Sequence, residues 1–513
     1  IGIQTFAKLR EEGCYYVDKT PWLLRLVREG SFYFLSRPRR FGKSLLIDTL
    51  AELFEGNRAL FDGLHAESHW DWSKSYPVIR ISFADGVLHS AERLQQRILD
   101  NLRQNGERLG VTFPPGLDVP GQFGELIRQA RARHGQRAVV LVDEYDKPIL
   151  DNITEPTIAR QMRDGLRDLY SVIKGQDAHI QFAMLTGVSK FSKVSLFSGL
   201  NNLNDITVDA RYSAICGYTD EDVNQVFAPE LPGLDRDEIR RWYNGYNWTG
   251  TSVYNPFDLL LLFDKREFKP YWFETGTPTF LIDVLTQRGV FTPQLQAFVA
   301  QENLLGSFDV EQMTTEALLF QTGYLTVGSI WRIPGRAEFT LKYPNLEVQA
   351  SLNDSLLQRL SGDPSVPGVQ VSQLYRLLQA RDFAGLQALF TAFFASIPHD
   401  WYRNSPVAQF EGYYASIFYS HFAALGLDIR LEDVTNRGRI DMTVLFDGQV
   451  WLFEFKVVEL VPEGRALQQI KDRAYADKYR ARGEPIHLIG VEFSKAQRSV
   501  VGFEVETLPS GHV

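Results

Sequence analysis

Cysteine is scarce: Cys14 and Cys216 are the only two in 513 residues, far apart and in no ligand spacing. That excludes a disulfide framework and a zinc site, and it suits a reducing compartment. No apolar run reaches the ~20 residues of a membrane helix; "DLLLLFD" (258–264) is short and bounded by acids. No stretch reads as a signal peptide, so the expected location is cytoplasmic, with no membrane partner. Positive charge is not in excess. Lys and Arg number 54 against 63 Asp and Glu, a net charge of −9. A chain coated for nucleic acid is thereby excluded, whereas a local basic groove is not. Fixed-period repeats and low-complexity segments are absent. "HAESH" (65–69) puts Glu67 at the wrong offset for a zinc protease helix, and "LFSGL" lacks the glycines of a nucleophile elbow. What is present, 44% apolar and 23% charged residues, is the composition of a globular protein. The length calls for roughly three domains.

One further absence is local. "SRPRRFGKS" (36–44) ends like a phosphate-binding loop, G-x-x-x-x-G-K-[ST], but Arg37 stands where the first glycine belongs. The context is right. "FYFL" (32–35) reads as a buried strand and "KSLLIDTLAELFEG" (43–56) as a helix with Leu46, Thr49, Leu50 and Leu53 on one stripe. Main-chain N–H groups at such a helix start favour phosphate. Lys43 is expected on the outer phosphates and Ser44 on Mg²⁺, with Arg37, Pro38, Arg39, Arg40, Phe41 and Gly42 forming the loop. Arg37 itself is expected to contact phosphate; the alternative is a solvated basic loop. A second strand, "AVVLVDEYDKP" (138–148), ends in Asp143, expected in the Mg²⁺ shell, and Glu144, expected to polarise the attacking water. A third run, 179–190, places Thr186 and Ser189 to sense the γ-phosphate.

The second motif is "GRIDMTVLFDGQVWLFEFKVV" (438–458). Asp447–Gly448 signals a two-residue hairpin turn. Facing residue numbers then sum to about 895, which sets Asp441 opposite Glu454. Lys456 points to the same side. Two opposed carboxylates repel unless something lies between them, and oxygen ligands suit Mg²⁺ or Mn²⁺. Asp441 and Glu454 are therefore expected to hold the metal, with Lys456 serving the transition state of phosphodiester hydrolysis. The plainer alternative is an exposed hairpin with a Glu–Lys–Arg cluster, Arg439 lying near Glu454.

With these motifs in view, the chain resembles the bacterial AAA-ATPase-like proteins that carry a C-terminal PD-(D/E)XK nuclease domain. "YYVDKT" (15–20), "LSRPRRFGKSLL" (35–46), "VLVDEYDKP" (140–148), "WYNGYNW" (242–248), "LFEFKV" and "ALQQIKDRAYADKY" (466–479) carry the resemblance. It implies an α/β multidomain chain: an AAA-like P-loop domain (1–215), a helical lid and winged-helix-like connection (216–398), and a nuclease domain of restriction-endonuclease type (399–513). It also implies an acid before the hairpin, Glu411, and a glutamine–tyrosine motif, Gln469 and Tyr475, orienting Lys456 or touching the nucleic-acid backbone. The implied function is an ATP-binding, ATP-regulated, Mg²⁺-dependent nuclease in defence or mobile-element biology, with DNA expected in preference to RNA. Homo-oligomerisation stays open. Two alternatives are a nucleotide-dependent switch with a non-catalytic nuclease fold and a junction-resolving recombination enzyme.

Overall fold

The computed structural model describes residues 1–190, 202–276, 281–282, 284–285, 288, 292–301, 314–361, 365–397 and 411–510. The chain divides into two compact units, residues 1–276 with 297–345, and residues 277–296 with 346–513. The expected connecting segment, 216–398, is thus shared between them.

The first unit is built on a parallel sheet. Its strands are β1 (Phe32–Ser36), β2 (Val78–Ser82), β3 (Ala138–Asp143), β4 (Ile180–Gly187) and β5 (Asn204–Asp205), in the order β2-β3-β4-β1-β5. β3 and β4 are buried along almost their whole length, which is why they read as continuous apolar runs and not as alternations. Helices Ala91–Leu109, Val119–His134 and Pro156–Gly175 supply Leu94, Phe123, Leu126, Met162 and Leu166 to the core on this sheet. Because β4 lies between β1 and β3, the loop after β1 and the acids after β3 open at the same carboxyl edge. That edge is where open parallel sheets bind ligands. The helix after β1, Lys43–Glu55, buries Leu46, Thr49, Leu50 and Leu53, the expected stripe, and Gly56 ends it in a left-handed conformation, φ 85°.

A helical region follows, with Asp220–Val226, Arg236–Tyr243 and Pro256–Lys265 packed through Val223, Ile239, Tyr243, Leu259 and Leu262. Thr219 starts its first helix with a complete capping box to Asp222. The helix Thr315–Thr322 is followed by β7 (Thr326–Ile333) and β8 (Arg336–Lys342), which join the earlier β6 (Phe298–Gln301) in an antiparallel sheet of order β6-β8-β7.

The second unit holds a mixed sheet of order β13-β12-β11-β10-β9: β9 (Asp428–Thr435), β10 (Gly438–Phe446), β11 (Gln449–Val458), β12 (Ile486–Ser494) and β13 (Ser499–Leu508). One face packs Trp451, Phe453 and Phe455 against Phe390, Phe418 and Phe422 of helices Phe383–Ser396 and Glu411–Ala424. The other packs Val450, Leu452 and Leu488 beneath Ile470, Tyr475 and Tyr479. β11 is therefore covered on both faces, and any charge on it needs a reason to be there.

Candidate functional site

The loop after β1 takes its left-handed residues at Arg40 (φ 68°) and Gly42 (φ 86°), not at Arg37. This is how the chain does without the first glycine: the turn that needs positive φ lies three residues later. Arg37 is fully buried. Its guanidinium donates to the carbonyls of Ser36 (2.8 Å), Thr207 (2.8 Å) and Tyr212 (3.1 Å), and lies 4.0 Å from the Trp248 ring centroid. Burial pulls its pKa down to about 10. The expected phosphate contact is thus corrected: Nη1 and Nη2 of Arg37 are spent on main-chain carbonyls, Nε is buried with no partner among the described residues, and neither Arg37 nor Pro38 lines the cavity at the loop. The alternative, a solvated basic loop, describes Arg40, which is exposed, and not Arg37. Pro38 abuts Gly323, the Trp272 indole donates to Arg39 O (3.0 Å), the Arg40 guanidinium lies 5.0 Å from the Phe257 centroid, and Phe41 packs edge-on against Tyr246 and Trp248.

A cavity of about 1010 Å³ opens over this loop, large enough for a nucleotide. Arg39 to Ser44 form its floor, with Glu144, Asp146, Ile215, Tyr218 and Phe257 among its walls. Lys43 Nζ donates to Arg37 O and Pro38 O, both at 2.9 Å, and burial lowers its pKa. Glu144 holds a left-handed backbone (φ 52°), which costs about 1–2 kcal/mol and turns its carboxyl toward the cavity. Its pKa is raised, first by burial and then by the charge of Asp143. Asp143 does not line the cavity; its Oδ1 accepts from Thr186 Oγ1 (2.8 Å) and Glu144 N (3.0 Å). Ser189 Oγ donates to Asp146 Oδ2 (2.6 Å). The two hydroxyls read as phosphate sensors therefore serve the acids after β3 instead. Asp146, missed in the sequence, accepts from Val188 N and Ser189 N as well and locks the end of β3 to the end of β4. Its signal was weak: a third acid in "DEYDKP".

In the second unit the hairpin forms as its turn dictates. Asp447 (φ 50°) and Gly448 (φ 66°) make the turn, and Thr443↔Leu452 and Met442↔Phe453 keep the expected register. The ladder stops there. Asp441 Oδ2 accepts from Phe455 N (2.8 Å), so its carboxylate takes over a donor of the facing strand. Opposite, in β9, Glu432 is left-handed (φ 47°). Such irregularities re-aim side chains beside active sites. Glu454 is fully buried. Lys456 Nζ stands 3.4 Å from Glu454 Oε1 and donates to Phe455 O (2.9 Å), and the Gln469 amide also donates to Glu454 Oε1. Glu454 Oε2 is buried with no hydrogen-bond partner among the described residues. Its pKa is pushed up to about 8, chiefly by burial and then by the negative charge of Asp441.

The structure thus brings together Asp441, Glu454, Lys456 and Gln469. Gln469 reaches Glu454 and not Lys456. Arg439 pairs with Glu432 at 3.5 Å, which removes the exposed Glu–Lys–Arg cluster as a description of the hairpin. Glu411 heads the helix Glu411–Ala424, and its side chain lies outside the described residues. Gly490 was missed. It pairs with Glu454 in register, and a Cβ on it would stand 2.2 Å from Leu467 N. Only glycine lets the helix Arg465–Asp472 come close enough to place Gln469 on Glu454; a glycine inside the apolar run "HLIGVEF" was the available signal. Gly490→Ala is expected to lift that helix, lower stability by about 1–3 kcal/mol and detach Gln469 from Glu454. Thermal melting, with the Glu454 titration followed by carboxyl NMR, checks both.

An orphaned buried carboxylate oxygen beside a second carboxylate fits a hard divalent cation. Among the described residues no three His, Cys, Asp or Glu side chains gather for a metal, so Asp441 and Glu454 are the protein's described carboxylate donors there. Among the described residues, no helix is long and apolar enough to cross a membrane.

Comparison with known proteins agrees with both halves. Residues 1–197 match the family model described as a predicted AAA-ATPase, and residues 409–503 match the PD-(D/E)XK nuclease superfamily. A protein of Azotobacter chroococcum mcd 1, described as "Uncharacterized protein in vnfD 5'region", is 67% identical over 509 residues, covering 99% of this chain and 98% of that one. No solved structure matches. The chain belongs to the AAA-ATPase-like family whose members join that domain to a C-terminal domain of the PD-(D/E)XK nuclease superfamily.

Proposed function

We propose that the protein is a divalent-metal-dependent nuclease whose activity is governed by ATP bound in the first unit. The observation that carries the nuclease reading is Glu454: a fully buried carboxylate opposite Asp441, with one oxygen tied to Gln469 and Lys456 and the other unsatisfied among the described residues. A structural role alone does not account for that cost, since an apolar residue would serve the core better. Asp441 and Glu454 would hold Mg²⁺ or Mn²⁺, and the ion when bound supplies the positive charge that polarises a phosphodiester and acidifies water. Asp441 is fixed in aim by Phe455 N, and Gln469 fixes Glu454. Lys456 presents its ammonium to the charge that grows on the phosphoryl oxygens. DNA is the proposed substrate and a defence or mobile-element role the proposed setting. Incubation with plasmid, linear duplex, single-stranded DNA and RNA, with and without Mg²⁺ and ATP, tests this directly. Metal-dependent cleavage supports the reading, and an intact set of substrates under every condition ends it.

The metal-free protein gives a second test. Because the Glu454 pKa is raised, the folded state holds a proton that the unfolded chain releases near the ordinary carboxylate range. Stability should therefore fall as pH rises from about 4.5 to about 8 and level off above. Glu454→Gln should flatten that slope and raise the melting temperature at pH 8. A variant that melts like wild type at every pH would place the buried charge elsewhere.

For ATP, Lys43→Ala should weaken binding about tenfold or more, through loss of a charge-assisted phosphate contact. Glu144→Gln should bind normally and turn over slowly, with Glu144 in the water-activating role. Calorimetric titration and a phosphate-release assay separate the two effects.

A further inference from the structure

β9 and β10 are joined by a two-residue turn, Asn436–Arg437, with Thr435 opposite Gly438. Side chains fasten this tip. Thr435 Oγ1 accepts from Arg437 N (3.2 Å) and donates to Gly438 O (3.0 Å), and Arg473 Nη1 donates to Arg437 O (3.1 Å). Gly438 lies so near Tyr475 that a Cβ would stand 2.7 Å from the phenol oxygen. The segment that carries Tyr475 begins with the helix Arg465–Asp472, whose Gln469 holds Glu454. One segment, 465–482, therefore meets both the turn, through Tyr475, and the buried carboxylate, through Gln469, and Arg473 on that segment is tied to Arg437 of the turn.

Arg430, Arg439, Arg465, Arg480 and Arg482 of the same domain each have a carboxylate within 2.5–3.8 Å. Arg437 and Arg473 are exposed and have no carboxylate partner among the described residues. In a chain of net charge −9, two exposed guanidinium groups with no carboxylate partner among the described residues offset the negative charge of the carboxylate pair. The guanidinium fork matches phosphate oxygens, and the neighbouring carboxylates would repel any acidic group that came without a metal.

We propose that Arg437 and Arg473 clamp the phosphate backbone of a nucleic-acid strand next to the bond presented to Asp441 and Glu454. The proposal rests on the nuclease reading and adds the surface that holds the substrate. In this role the two arginines bind and position, and they take no part in the chemical step.

The test uses the full-length protein with fluorescein-labelled duplex DNA, the matching single strand and the matching RNA. Binding is read in Ca²⁺ over a range of salt, and steady-state cleavage in Mg²⁺. Arg437→Ala and Arg473→Ala should each raise Kd and KM about fivefold, leave kcat in place, and reduce the slope of log Kd against log salt by about one. Arg437→Lys and Arg473→Lys should recover most of the binding, which separates lost charge from a disturbed turn. Arg480→Ala, whose partner is Asp477, should change nothing. Unchanged Kd and slope in both alanine variants, or a fall in kcat with KM constant, overturns the clamp. A wild-type protein that binds with the expected arginine-dependent slope yet never cleaves keeps the clamp and ends the nuclease reading. Absence of both binding and cleavage ends both.

Discussion

Lys456→Ala is expected to lower metal-dependent cleavage by about 10²–10³-fold, the usual cost of removing one charge-stabilising donor from a transition state. It should leave the Mg²⁺-induced rise in melting temperature in place, because the ammonium serves the phosphoryl group and not the ion. Asp441→Asn should lose both. Without metal, the same variant should melt at or slightly above the wild-type temperature, since it removes the charge that helps drive Glu454 toward protonation. It should still accept the bond from Phe455 N through its amide oxygen. The pair of variants divides ion binding from chemistry by thermal melting alone, with cleavage as the second measurement. Full cleavage by Asp441→Asn would remove the hairpin from the active site.

The second large effect is expected at Arg37, and it is an effect on folding. Arg37→Ala strips donors from the buried carbonyls of Thr207 and Tyr212 and leaves a void against Trp248. A loss on the order of 3–5 kcal/mol follows from the unsatisfied main-chain groups. Arg37→Lys should recover little, because one ammonium cannot span carbonyls on opposite sides of a planar fork. Denaturant titration of the purified variants reads this. An Arg37→Ala protein of wild-type stability with weakened ATP affinity would restore the residue to the phosphate.

The hairpin was legible in the sequence because its determinants are local. Asp447 and Gly448 fix a two-residue turn, the turn fixes the register, and the register alone sets Asp441 across from Glu454. The strand–loop–helix at 32–55 was legible for the same reason. Arg37 was not: beyond the adjacent Ser36, its carbonyl partners lie 170 and 175 residues away in the chain, and nothing nearby announces them. Thr186 and Ser189 were placed correctly at the end of β4, but their partners depend on which acids stand beside that strand end, and only the sheet order tells this. Gly490 escaped notice because its role is to lack a side chain under a helix that arrives from elsewhere in the sequence. The irregularity opposite Asp441 was likewise invisible, since Glu432 gives no hint of a left-handed backbone.

Arg37 also has an evolutionary corollary. Its side chain fills the space and meets the hydrogen-bonding demand of the segment after β5, with Trp248 as the surface on which it lies. A descendant that regained glycine at position 37 would have to rebuild residues 207–212 and find another neighbour for Trp248 in the same lineage. Glycine at position 37 is therefore not a single-step change, and positions 37 and 248 should be exchanged together when related chains are aligned. An arginine in this place ties the loop to the segment after β5 and to Trp248 at once, so the three positions are one unit of change.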